Sequence, residues 1–130
     1  MKRFSILFLI IFFPAVLFAE TADNLFFSLE SMTDLQIKNY CTTNPDMVVR
    51  GSGTIMEIRE INMFDEVKGT YTIEIDYGNE HHAVIGTDMP SGDLIRFNVG
   101  ASVYFSGYLA SYTDWGFWKT VYLNEGTISK

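Results

Sequence analysis

Cys41 is the chain's only cysteine, which excludes an internal disulfide framework. Basic side chains are also scarce, with 9 Lys and Arg against 16 Asp and Glu and a net charge of −7. That balance excludes a basic patch large enough to hold a nucleic acid backbone. Its field repels phosphodiesters and anionic lipid headgroups at long range. At 130 residues the chain is too short for a repeat array or a second domain. No Gly-x-Ser-x-Gly elbow and no phosphate-cradling glycine loop occurs, so the familiar signatures of acyl and phosphoryl transfer are missing. Apolar residues are not scarce. They make up 48% of the chain and aromatic rings 15%, enough to build a core.

The start of the chain reads as an address. Met1, Lys2 and Arg3 precede an almost wholly apolar run over residues 4–18, and Ala19 stands before Glu20. A positive start, an apolar run and a small residue at the cut describe a secretory signal peptide, cleaved after Ala19. The run is shorter than the ~20 residues of a membrane-spanning helix and contains Pro14. No cysteine lies at the cut to carry a lipid. The expected product is a periplasmic or secreted protein with no transmembrane anchor. It loses Lys2 and Arg3 but no acidic residue, so it is more acidic than the whole chain. In an oxidising compartment Cys41 has no internal partner and reads as a small buried hydrophobe.

The division of the chain is then 1–19 signal peptide, 20–47 N-terminal helical segment and 48–130 barrel. Thr33-Asp34-Leu35-Gln36 fits a capping box, and Ile37, Tyr40 and Cys41 fall on one stripe of a short helix that Pro45 ends. Residues 48–61 form a long first strand. Its apolar parity changes between Ile55 and Met56, just after Gly51 and Gly53, which predicts a bulge or sharp coil. Tyr71, Ile73, Ile75 and Tyr77 alternate with polar residues over 69–77, the second strand. A turn at 77–80 leads to a short third strand over 81–86. Pro90-Ser91-Gly92-Asp93 opens one helical turn. Residues 101–112 and 117–124 are the fourth and fifth strands, with Phe117, Val121 and Leu123 expected on the core face.

This order predicts an all-β fold with a short N-terminal helix: a five-stranded OB-fold-like β-barrel with a short helix closing one mouth. An SH3-like barrel or an open β-sandwich is the alternative. Thr33-Asp34-Leu35-Gln36, then Tyr40, then Val49-Arg50-Gly51-Ser52-Gly53-Thr54-Ile55 resembles small bacterial exported proteins of the OB-fold, tRNA-anticodon-binding-like type. So do the stretch from Asn98 to Gly107 and the closing stretch from Tyr122 to Ile128. The resemblance implies the barrel. Its motifs are glycines and apolar positions, so it implies no catalytic residue.

Candidate chemistry is sparse. His81 and His82 are adjacent, and on a strand they face opposite sides, so they do not converge on one metal. One exposed and one half-buried imidazole is the expectation. Glu74 and Asp76 share a face and, with His82, could serve a cation-dependent hydrolase; Arg50, Arg59 and Lys68 could equally neutralise them. Aromatics are more informative. Tyr112, Trp115, Phe117 and Trp118 cluster around the loop between the fourth and fifth strands, and Tyr71 and Tyr77 lie on the second. Tyr112, Trp115, Trp118, Tyr77 and His82 are therefore the candidate ligand-binding residues, with the 62–68 loop beside them. Tyr71 and Phe117 are expected in the core. No catalytic residue, metal or cofactor is assigned. The expected function is an exported binding module for a protein, peptide or glycan partner, and the acidic balance argues against nucleic acid. The alternatives are an oligomerising or toxin-type subunit, and the hydrolase.

Overall fold

A computed structural model describes residues 19–130 of the protein. The expected signal peptide lies outside the described residues except for Ala19. Strand β1 (Ala19–Thr21) leads into helix α1 (Ala22–Glu30) and helix α2 (Asp34–Thr43). Strands β2 (Val48–Glu60), β3 (Tyr71–Gly78) and β4 (His81–Thr87) follow. A single turn, α3 (Ser91–Leu94), precedes β5 (Ser102–Asp114) and β6 (Lys119–Ser129).

The long β2 makes closure possible. Residues 48–54 pair with β5 and residues 54–60 with β3. The register slips between Ile55 and Glu57, the bulge expected from the parity change, and lets one strand serve two parts of a ring. Gly53 sits at the crossing, where a Cβ would come within 2.5 Å of both Asp76 O and Ile75 Cγ2. The ring continues through antiparallel β3–β4, parallel β4–β6 and antiparallel β6–β5. The five strands β2, β3, β4, β6 and β5 close an OB-fold-like barrel. The short β1 is an addition the sequence did not announce; it runs parallel to the start of β2.

Alternation sets the inside. Val49, Ile55, Ile73, Ile75, Ala83, Ile85, Val121 and Leu123 are buried to within one per cent of their surface. Helix α1 closes one mouth. Ala22, Leu25, Phe26 and Leu29 follow helical spacing and are fully buried. Phe26 stacks on the His81 ring at 4.2 Å, and Glu30 Oε1 lies 2.6 Å from His81 Nε2 and 3.4 Å from Lys119 Nζ. Helix α2 starts with the expected capping box. Gln36 N donates to Thr33 Oγ1 and Thr33 N to Gln36 Oε1. The loop over 61–70 folds back against the wall. Arg59 grips Asp65 with both terminal guanidinium nitrogens, Nη1 and Nη2, Val67 is buried, and Lys68 N donates to Asn124 Oδ1 at 2.9 Å.

Two expectations about the aromatics need correction. Phe117 is not in the core: β6 begins only at Lys119, and Phe117 stands in the preceding loop, 72% exposed. Tyr112 is not a surface ring: it is buried, edge-on to Phe26 at 6.0 Å. Nor is either histidine free, since His81 is held under α1 and His82 is buried on the outer wall.

Candidate functional site at the tip of the β5–β6 hairpin

The rungs Tyr112–Val121, Thr113–Thr120 and Asp114–Lys119 bring β5 and β6 to a tip at 115–118. Local chemistry fixes this loop. Gly116 N donates to Asp114 Oδ1 at 2.7 Å, and Trp115 N donates to Trp118 O at 2.9 Å. Gly116 has φ +84°, a left-handed conformation in which a side chain is strained. Lys119 N donates to Glu80 O at 3.0 Å, which ties the tip to the β3–β4 turn.

The loop presents its rings outward. Trp115 is 71% exposed and Trp118 is 42% exposed, with Phe117 between them. Trp118 lies flat on His82, with centroids 3.6 Å apart and planes at 10°. Beneath the stack, His82 Nδ1 is 3.2 Å from the Met56 sulfur. Burial holds the His82 imidazole below its ordinary pKa; Asp76 pulls the other way and His81 adds to the depression. The ring is therefore neutral at neutral pH, and the stack is a fixed platform rather than an ionic contact.

On the other side of the loop, α2 and β5 enclose a cleft of about 390 Å³. Asp34, Ile37, Lys38 and Cys41 line it from α2, and Tyr112 and Trp115 from β5 and the tip. Burial pushes the Cys41 thiol above its ordinary pKa, which keeps it protonated and unreactive. The Tyr112 hydroxyl is buried with no hydrogen-bond partner among the described residues. Burial, then Asp114 and Glu30, push its pKa up. Asp34 and Lys38, one helical turn apart, give the rim one charge of each sign.

Four of the five predicted site residues thus gather around one hairpin tip. Trp115 and Trp118 form its surface, His82 supports Trp118 from below, and Tyr112 is part of the cleft wall. Tyr77 is elsewhere, at the end of β3 under α1, with its ring 5.7 Å from Phe26 and 6.2 Å from Phe105. Phe117 was expected in the core rather than at the tip, and Asp34 and Lys38 were not singled out as site residues. The i, i+4 spacing of Asp34 and Lys38 was visible, but nothing local says that α2 lies along β5.

The residues weighed for a hydrolase lie on the β2–β3–β4 wall, with Asp76 opposite His82. Glu74 stands opposite Glu57 in the β2–β3 register, and Arg59 is taken by Asp65. Burial and the Glu57 charge raise the Glu74 pKa. Among the described residues, no group of three or more His, Cys, Asp and Glu side chains is placed to hold a metal ion. No helix among them is long and apolar enough to cross a membrane.

No family model matches the chain, and no curated protein matches it. Among solved structures, it is similar to a "putative nucleic acid-binding lipoprotein" from Klebsiella pneumoniae subsp. pneumoniae. The identity is 17% and the TM-score 0.44, over 79% of this chain and 96% of that one.

Proposed function

We propose that the protein is an exported binding module that captures a protein partner with the tip of its β5–β6 hairpin. In this reading residues 1–19 direct export and residues 48–130 form the recognition barrel. The observation that carries it is the tip itself. Trp115, Phe117 and Trp118 are exposed within one loop that hydrogen bonds and the His82 stack hold still. Exposed rings lose apolar hydration on contact, and fixed ones lose little conformational entropy, so they serve well as interface anchors. Loops that flank the wall of an OB-type barrel are also where such barrels bind.

The test places a photo-crosslinking side chain at Phe117 and irradiates the protein in its native envelope. The reading expects a discrete cross-linked protein, lost when Trp115→Ala is added and unaffected by Glu125→Ala, an exposed position further along β6. Unchanged cross-linking in the Trp115→Ala protein, with unchanged melting, rejects the tip as the anchor.

A further inference from the structure

A second cleft opens on a different part of the barrel wall and shares no residue with the hairpin-tip cleft. It arises from a seam. On one edge of β2, pairing with β1 ends at Arg50 and pairing with β3 begins at Thr54. Residues 51–53 have no strand partner on that side. Gly51 lets the Phe105 and Tyr77 rings pack against the strand and floor the seam: a Cβ there would lie 2.6 Å from Phe105 Cζ and 3.0 Å from Tyr77 Cε2. The space above is about 500 Å³, inside the ~300–1,000 Å³ range of small-molecule sites.

Its polar side chains stand in order on a largely apolar wall. The β2–β5–β6 register lays Arg50, Ser106 and Thr127 in one row and Ser52, Tyr104 and Ser129 in the next. Ser106 Oγ and Thr127 Oγ1 are 3.3 Å apart. Tyr104 is 64% exposed, an aromatic face standing on the wall. Arg50 is exposed and makes no ion pair or side-chain hydrogen bond among the described residues. Across the seam stands Asp23, beside the Tyr77 hydroxyl. Burial and this carboxylate push Tyr77 up to about 12, so it stays a neutral donor.

We infer that this cleft binds a neutral saccharide, with the sugar's C–H face on Tyr104 and its hydroxyls between Arg50, Asp23 and the serine and threonine rows. Three features select that class. A guanidinium and a carboxylate each grip a pair of neighbouring hydroxyls, and together they carry no net charge to favour an ion. Serine and threonine hydroxyls donate and accept, as sugar hydroxyls do. An apolar ligand would bury those hydroxyls unpaired, at ~1–3 kcal/mol each. An anion would meet Asp23 and the chain's negative field.

The test uses 15N-labelled protein, purified as the cell exports it. It is titrated with cellobiose, maltose, lactose and chitobiose, and separately with inorganic phosphate. At least one saccharide is expected to give saturable amide shifts confined to residues 50–52, 104–106 and 127–129, with phosphate giving none. Tyr104→Ala and Arg50→Gln are surface changes that leave the rest of the spectrum in place; each should weaken the binding about tenfold or more. Absence of shifts from every sugar overturns the inference. So does a response to phosphate in place of sugar, or binding that survives Tyr104→Ala unchanged. None of these outcomes bears on the hairpin tip.

Discussion

Phe26→Ala should remove a large part of the protein's stability, because α1 acts as the barrel's stopper rather than as an appendage. The Phe26 ring is 1% exposed and touches three others: His81 at 4.2 Å, Tyr77 at 5.7 Å and Tyr112 at 6.0 Å. Truncating a buried Phe costs ~3–5 kcal/mol, transfer and cavity together. The walls here belong to a closed sheet that cannot collapse inward, which favours the upper end. Set against a total of ~5–15 kcal/mol for a domain, the loss is a third or more. With a urea slope of ~2 kcal/mol per molar, the unfolding midpoint should fall by about 2 M. Phe27→Ala is the control. That neighbour is 82% exposed, and its loss should change stability by less than ~0.5 kcal/mol. Equilibrium urea unfolding followed by far-UV circular dichroism reads both. A Phe26→Ala midpoint within ~0.5 M of the parent, at unchanged slope, would show that the barrel stands without its stopper.

Three further outcomes follow from the charged and stacked groups. Trp118→Ala uncovers His82, so its titration midpoint, read by NMR of the imidazole, should rise toward 6.5. In the parent, the unfolded chain takes the His82 proton first, so stability falls as pH drops below 6.5 toward the lower folded value; that slope should flatten in the variant. Glu74→Gln relieves the charge opposite Glu57 and should stabilise by about 0.2–1 kcal/mol at neutral pH. Because the Glu74 pKa is raised, the gain should vanish below pH 4.5, where the carboxyl is neutral in both states. Asp65→Asn should cost ~1–3 kcal/mol at neutral pH in thermal or urea melts. The Asp65 carboxyl is held below 3.8, first by Arg59, so the parent loses this contribution only as pH falls through that lower value and the two proteins converge in strong acid.

Much of the barrel is written in local pattern. Tyr71, Ile73 and Ile75 alternate with polar residues because one face of β3 lies on the core, although Thr72 on the other face is buried as well. The capping box at Thr33 is a contact between residues three apart, and the β2 bulge is a parity change that can be counted along the chain. What was not legible depends on distant partners. Phe117 has the parity of Val121 and Leu123, but the turn at Gly116 and the Trp118–His82 stack release it from the sheet before β6 begins. Tyr112 looks like a loop aromatic until Phe26 covers it from more than eighty residues away. The tip was identifiable because two tryptophans stand three residues apart just after the polar stretch Ser111–Asp114. The seam cleft was not, because β1, β2, β5 and β6 meet there only in three dimensions.

The β5–β6 hairpin has a trunk and a crown with separate duties. Its trunk, through Leu109, Tyr112, Val121 and Leu123, is part of the interior, whereas the crown at 115–118 adds no side chain to the buried core and rests on the wall through Trp118 and His82. Sequence drift in the crown therefore escapes the constraint that folding places on the trunk. A barrel of this build can change what it holds by exchanging a handful of residues at one corner, and a foreign peptide spliced between Asp114 and Lys119 should be displayed without disturbing the body that carries it.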